Sequence, residues 1–310
     1  MSNHAGHGHH DGNHAHEHRH DGTNGHHHDP AEPDWDVMGP LLEQNAELSS
    51  EQYTEAARWI AGLPDAPEVR RVLDIGSGPG VISCLLAEAF PEADVVAVDG
   101  TPALLERTRG RAQRLGLEGR VTTVHADIPG GLAELGQADL VWAGNTLHHM
   151  GDQRAVLAGF AALLNPGGTV ALVEGGLQPR QLPRDLGFGR PGLEARMEAV
   201  HAEAFEEMRA ALPGSRRENE DWAALFATVG LTPQGARGFL LDLPAPLGDV
   251  ARDHVISEFT RRRDGLGDRL DAEDIATLDR LLDPEDPAGL HRRPDTYLLM
   301  ARTVHLGRRT

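Results

Sequence analysis

The residues with the clearest chemical potential lie in a glycine-rich run at 72–80, VLDIGSGPG. An apolar, strand-like segment precedes Gly76, Gly78 and Gly80, and Asp74 comes two residues before the first glycine. Glycine permits a tight turn with unusual dihedrals and lets a ligand approach the backbone closely. A helix that follows such a turn presents free N–H groups to that ligand. The run predicts a nucleotide-type ligand, and its G-x-G-x-G spacing differs from the dinucleotide pattern G-x-G-x-x-G.

Other polar residues come at the ends of the predicted strands that follow. Asp99 closes the second strand, and residues 126–128 (ADI) follow the third. The segment 145–150 (NTLHHM) follows the fourth, and Glu174 closes the fifth. Because ligands of open α/β sheets bind at the carboxyl ends of the strands, we expect these side chains to share one rim. For each aspartate the alternative is a carboxylate that only caps a turn, a position that Asp favours.

These residues depend on an alternation of strands and helices along the chain. Strands are predicted at 71–75, 94–98, 121–125, 138–143, 169–173, 239–243 and 297–304. Helices are predicted at 81–90, 102–115, 153–164, 222–229, 249–263 and 272–282. Ser49 and Gln52 resemble a capping box at the start of an earlier helix. The alternation predicts an α/β fold with a doubly wound, mostly parallel, seven-stranded sheet.

The chain divides into a tail and one large domain. Residues 1–34 form a His-rich tail, and residues 35–310 form the domain, with the ligand-binding core at 71–176. The tail holds eleven of the eighteen histidines and few apolar residues, so we expect it to be disordered. Imidazole clusters bind Ni²⁺, Cu²⁺ or Zn²⁺, and the alternative is an incidental tail without a role. No metal site is predicted elsewhere. Helical lid segments are expected at 35–66, 177–220 and 247–292.

The composition excludes several classes of function. All 29 basic residues are arginines, so chemistry that needs a lysine, such as a Schiff base or a P-loop, is excluded. The net charge of −19 disfavours nucleic-acid partners, which require cationic contacts. No apolar run is long enough to cross a membrane, and we expect no membrane partner. One cysteine, Cys84, and no visible secretory signal predict a cytoplasmic protein.

Five features carry a family resemblance: the glycine run, Asp99, residues 126–128, residues 145–150 and the turn at 165–168 (NPGG). Together they resemble class I S-adenosylmethionine-dependent methyltransferases of the bacterial small-molecule type. The resemblance covers about residues 71–176. It implies a Rossmann-like methyltransferase fold and S-adenosylmethionine as the cofactor. The residues that it implies for cofactor binding are Asp74, Gly76, Ser77, Gly78, Gly80, Asp99, Gly100, Ala126, Asp127, Ile128 and Asn145.

The resemblance also implies methyl transfer to oxygen or nitrogen of a small metabolite, by a protein that is a monomer or a homodimer. The candidate catalytic residues are His148, His149 and Glu174, because a side chain near the methyl donor can take the proton of the nucleophile. Each has a structural alternative, such as holding the loop. Two other functions remain open: an NAD(P)-dependent oxidoreductase on a similar sheet, and a metal-handling protein that uses the His-rich tail.

Overall fold

The computed structural model of the protein describes residues 34–63 and 68–310. Its helices are α1 (Trp35–Leu48), α2 (Ser50–Ala61), α3 (Val81–Ala89), α4 (Pro102–Arg114), α5 (Gln153–Ala162), α6 (Leu193–Ala211), α7 (Trp222–Thr228), α8 (Asp249–Leu266) and α9 (Ala272–Leu282). Its strands are β1 (Arg71–Ile75), β2 (Asp94–Asp99), β3 (Val121–His125), β4 (Ala138–Gly144), β5 (Leu164–Arg180), β6 (Leu231–Leu243) and β7 (Leu298–Arg309). The predicted disorder and metal binding of the His-rich tail fall, except for Asp34, outside the described residues.

The strands form one seven-stranded sheet in the order β3-β2-β1-β4-β5-β7-β6. The first five strands pair in parallel, and β7 runs antiparallel to both of its neighbours, β5 and β6. The chain order reverses between β1 and β4, and this is where doubly wound sheets bind ligands. The predicted fold class, a doubly wound and mostly parallel seven-stranded sheet, is therefore confirmed.

Helices cover both faces of the sheet. On one face, Phe160 of α5 and Phe226 of α7 are buried against strand residues such as Leu73. On the other face, Ala56 of α2 and Leu86 of α3 are buried among strand residues of the same kind. A parallel sheet that is covered on both faces needs apolar side chains in both directions along each strand. This explains why β1, β2 and β4 are nearly continuous runs of Val, Leu and Ala.

A third apolar core lies beside the C-terminal end of β6 and the N-terminal end of β7. Met197 of α6, Phe259 of α8 and Leu278 of α9 pack there with Leu241 of β6 and Met300 of β7. The helices of the two C-terminal lid segments therefore have a core of their own, separate from the two sheet faces.

The C-terminal strands are longer than the sequence predicted. Strand β5 continues past residue 173 to Arg180. A bulge at Gly175 interrupts its pairing with β7, which resumes at Gly176. The prediction that 177–220 is mostly helical is therefore wrong at its start, and α6 is the helix of that segment. Strand β6 begins at Leu231 rather than at 239, with a second irregularity between Pro233 and Gly235. In both cases Gly or Pro residues, which often end a strand, lie at a bulge inside one.

The predicted capping box at the start of α2 is wrong. Ser49 occupies the N-cap position, but its side chain makes no capping hydrogen bond. Gln52 instead donates from Nε2 to the carbonyl oxygen of Phe239, at 2.5 Å. A long-range contact to β6 has replaced the local one, and it fixes α2 against the edge of the sheet.

Within the described residues, none of the helices is long and apolar enough to span a bilayer. The same residues contain no group of three or more His, Cys, Asp or Glu side chains arranged to hold a metal ion.

Candidate active site

A cavity of about 600 Å³ opens at the carboxyl ends of the central strands. Asp74 of β1, Asp99 of β2 and Gly144 of β4 lie in its wall. Helices α1, α6 and α8 supply the opposite wall. The cavity therefore lies between the predicted ligand-binding core and all three predicted lid segments.

The glycine turn brings Asp74 and the loop after β4 together. Gly76 has a φ of +70°, and a Cβ atom there would lie 2.3 Å from Oγ1 of Thr146. Asp74 is buried and accepts a hydrogen bond from Oγ of Ser83 at 2.5 Å. Burial raises the pKa of the Asp74 carboxyl to about 7, against the effect of the Ser83 hydroxyl and with a contribution from nearby Asp99. The turn thus places a carboxyl group that titrates near neutral pH in the cavity wall.

Asp99 uses both carboxylate oxygens to hold the same turn. Oδ2 accepts from the backbone N–H of Gly78 at 2.9 Å, and Oδ1 accepts from that of Thr101 at 2.8 Å. Each carboxylate oxygen has a further lone pair, so Asp99 can also accept hydrogen bonds from a ligand in the cavity. The turn-capping role and the ligand-binding role of Asp99 are therefore compatible.

The residues after β3 lie beside the cavity rather than in it. Asp127 is exposed, and a Cβ atom on Gly100 would lie 3.0 Å from its Oδ1. Residues 126–128, Gly100 and Gly80 are not among those that line the cavity. Their predicted contacts with the cofactor stay predictions.

Glu174 holds the loop after β4 by three hydrogen bonds. Its Oε1 accepts from the backbone N–H groups of Leu147, at 2.9 Å, and of His148, at 3.3 Å. Its Oε2 accepts from Nδ1 of His148 at 2.9 Å. Glu174 is buried, and neither Glu174 nor His148 lines the cavity. The geometry gives both residues a positioning role for this loop.

His149, the next residue, does line the cavity. Its ring lies 4.1 Å from the His148 ring, centroid to centroid. Burial lowers the pKa of His149, and the neighbouring His148 lowers it further. His149 is therefore mostly neutral at pH 7 and able to accept a proton from a molecule in the cavity.

Asn145 connects this loop to the N-terminal helices. It adopts a φ of +51°, which is uncommon for a residue other than glycine, and its Nδ2 donates to the Tyr53 hydroxyl at 3.1 Å. Tyr53 belongs to α2 and also lines the cavity. Backbone strain of this kind is found at functional sites, where the surrounding structure maintains it.

The lid helices add polar side chains to the far wall. His201 and Glu198 come from α6, and His254, Glu258 and Arg262 come from α8. His201 is exposed, but it also borders the cavity, and Arg262 lies in the cavity wall.

The structure brings together about half of the predicted site. The predicted residues that line the cavity are Asp74, Gly76, Ser77, Gly78, Asp99, Asn145 and His149. The residues that sequence reasoning missed include Tyr53, His254 and Arg302. No local motif marks these three, since each reaches the cavity from an element far away in the chain.

The cavity wall suits S-adenosylmethionine, which carries ribose hydroxyls and positive charge but no phosphate. Asp99 offers acceptors for hydroxyl groups, and Asp74 offers a carboxyl group to a cation. Ser77 adds a buried hydroxyl that has no hydrogen-bond partner among the described residues. Buried polar groups are rarely left unpaired in native proteins, so this hydroxyl fits a polar ligand in the cavity.

The part of the chain that carries the glycine turn is similar to known methyltransferases. The sequence profile of a family described as "Methyltransferase domain" matches residues 72–168. A trans-aconitate 2-methyltransferase of Methylobacterium radiotolerans is 34% identical over 128 residues, which cover 40% of this chain and 45% of that protein. A ubiquinone biosynthesis O-methyltransferase of Bordetella avium is 37% identical over 117 residues, which cover 36% of this chain and 45% of that protein. The chain thus spans less than half the length of these two relatives.

Among solved structures, the chain is similar to a SAM-dependent methyltransferase from Thiobacillus denitrificans in complex with S-adenosyl-L-homocysteine. The TM-score is 0.46 at 22% identity, over 82% of this chain and 90% of that chain.

The sheet order, the cavity at the glycine turn and the matching profile together define a class I methyltransferase domain. The part of the chain that the family profile matches, residues 72–168, is therefore a methyltransferase domain.

Proposed function

We propose that the protein transfers a methyl group from S-adenosylmethionine to an oxygen or nitrogen atom of a small molecule. The observation that carries the proposal is the continuity of one cavity, from Asp99 and the glycine turn to His149 and the lid helices. When bound, the cofactor supplies a methyl group that is already activated on a sulfonium ion. The protein then has two tasks, which are to position the acceptor and to take its proton.

The cavity residues divide between these tasks. Asp99 accepts hydrogen bonds from the ribose hydroxyls, and Asp74 faces the positive charge of the cofactor. His149 accepts the proton of the attacking group, because it lines the cavity and its lowered pKa keeps it neutral. Glu174 and His148 hold the loop that carries His149. Helices α1, α6 and α8 exclude water from the methyl donor, as a lid does.

An equilibrium titration of the purified protein tests the proposal. We expect S-adenosylmethionine and S-adenosylhomocysteine to bind at micromolar concentrations and NADH not to bind. Binding of NADH without binding of S-adenosylmethionine would contradict the proposal and favour the oxidoreductase alternative.

The His-rich tail is outside this proposal. Deletion of residues 1–34 should leave cofactor binding unchanged, because described residues from Trp35 onward already supply the cavity wall that holds Asp99 and the glycine turn. Loss of Ni²⁺ or Zn²⁺ binding in the same variant would assign that property to the tail. The cytoplasmic location and the monomeric or homodimeric state stay predictions.

A further inference from the structure

Arg302 adds a cation to the cavity wall from the last strand. It lies on β7, opposite Gly176 of β5 and Phe239 of β6. Met300, two residues earlier, also lines the cavity. Because alternate residues of a strand face the same side, Met300 and Arg302 form one stretch of wall.

The other two arginines of the cavity wall already have partners. Arg180 pairs with Glu198 at 2.5 Å, and Arg262 pairs with Glu258 at 2.9 Å. The Arg302 side chain makes no hydrogen bond or ion pair with any residue that the structure describes, and its buried Nε has no partner there. A partly buried charge without a partner is costly, so such a group in a cavity indicates a ligand of opposite charge.

We infer that Arg302 binds a carboxylate group of the methyl acceptor, and this inference rests on the proposed function. A guanidinium group can donate two parallel hydrogen bonds to a carboxylate, which fixes the orientation of the ligand as well as its position. One unpaired guanidinium balances one negative charge. A carboxylate carries one negative charge at neutral pH, whereas a phosphate monoester carries between about 1.5 and 2 negative charges. The acceptor is therefore an acid whose methylated atom lies elsewhere in the molecule.

The main rival is that Arg302 binds the carboxylate of the cofactor itself. The two assignments differ in which ligand loses affinity when the guanidinium is removed. If Arg302 binds the acceptor, its removal leaves the affinity for S-adenosylhomocysteine unchanged. If it binds the cofactor, that affinity falls.

The experiment uses the full chain with Arg302→Gln, and with Arg302→Lys to restore the charge without the fork-shaped donor group. Arg217→Gln is the matched control, because Arg217 is exposed, lies outside the cavity and loses the same charge. Affinity for S-adenosylhomocysteine is measured first. The loaded proteins are then titrated with three acids, each paired with an uncharged counterpart. The pairs are lactate with lactamide, 4-hydroxybenzoate with 4-hydroxybenzamide, and trans-aconitate with its trimethyl ester.

We expect all four proteins to bind S-adenosylhomocysteine equally. The wild type and Arg217→Gln should bind at least one acid about ten- to a hundredfold more tightly than its uncharged counterpart. Arg302→Gln should lose that preference and Arg302→Lys should keep part of it. The inference is overturned if no acid is preferred in the wild type, if the preference survives in Arg302→Gln, or if this variant loses S-adenosylhomocysteine. Failure of the wild type to bind S-adenosylhomocysteine would instead contradict the proposed function.

Discussion

Oε2 of Glu174, at the bulge of β5, accepts a hydrogen bond from Nδ1 of His148 across the active-site loop, at 2.9 Å. The other oxygen of the same carboxylate accepts from two backbone N–H groups of that loop. A residue that sequence reasoning placed among the catalytic candidates therefore also supports the loop that carries His149.

Glu174→Ala should destabilise the protein, because it leaves three donors without their acceptor in a buried place. We expect a loss of about 3 kcal/mol in the free energy of unfolding, measured in urea. Glu285→Ala is the control, because the Glu285 side chain is 84% exposed and pairs only with exposed Arg292. Equal stability of the two variants would show that Glu174 does not hold the loop.

Alanine substitutions at Gly76 and Gly78 distinguish the effect of backbone strain from that of a steric clash. Both have positive φ, but a Cβ atom on Gly78 would meet nothing within 4 Å, whereas one on Gly76 would meet Thr146. We expect Gly78→Ala to lower the free energy of unfolding by about 1–2 kcal/mol. Gly76→Ala should lower it by about 1–3 kcal/mol more, because the added Cβ atom also meets Thr146. A double-mutant cycle with Thr146→Ala should recover part of the second cost. Equal costs at the two glycines would contradict the close approach of Thr146.

The raised pKa of Asp74 predicts how cofactor binding depends on pH. Below about pH 7 the carboxyl group is protonated and cannot balance the positive charge of S-adenosylmethionine. The affinity should therefore fall by up to about tenfold for each pH unit below that value. Asp74→Asn should remove this dependence and bind weakly at every pH. An affinity of the wild type that stays constant from about pH 5 to about pH 8 would be inconsistent with a buried, titrating Asp74.

The same pKa has a consequence for the unliganded protein. The folded state binds the Asp74 proton more tightly than the unfolded state does, so ionisation of this group opposes folding. The stabilisation that comes from the bound proton is lost as the pH rises from about 4, the pKa of this group in the unfolded chain, to about 7, its pKa in the folded protein. Thermal unfolding of the wild type and Asp74→Asn over this range measures the difference, which should grow with pH in favour of the variant. A constant difference would count against the shift.

His149 should set the acid limb of the pH–rate profile. Because burial and His148 lower its pKa, the limb should lie below about pH 6.5, the ordinary value for histidine. His149→Gln should reduce kcat by about 10²–10⁴-fold and abolish the limb. His291→Gln, at an exposed position outside the cavity, is the matched control. A limb that persists in His149→Gln would assign the proton transfer to another group.

The parallel half of the fold could be predicted because β1, β2 and β4 are short runs of mostly buried, apolar residues. The place of Asp74 and Asp99 in the cavity wall could be predicted because each lies at the carboxyl end of such a strand. The antiparallel half could not, since the Gly175–Gly176 bulge resembles a turn until the register with β7 is known. Arg302 was missed because its place in the cavity wall depends on that register. Nothing in the local sequence distinguishes an unpaired arginine from a solvated one.

The central claim is that Asp99 binds the ribose of S-adenosylmethionine in this cavity, and calorimetric titration of Asp99→Ala with S-adenosylhomocysteine tests it most directly. Asp94→Ala serves as the control, because Asp94 begins the same strand, is exposed and does not line the cavity. The proposed function predicts that Asp99→Ala raises the Kd by about a hundredfold, because two hydrogen bonds to a charged group are lost. Asp94→Ala should leave the Kd unchanged. A Kd for folded Asp99→Ala equal to that of the wild type would contradict the claim.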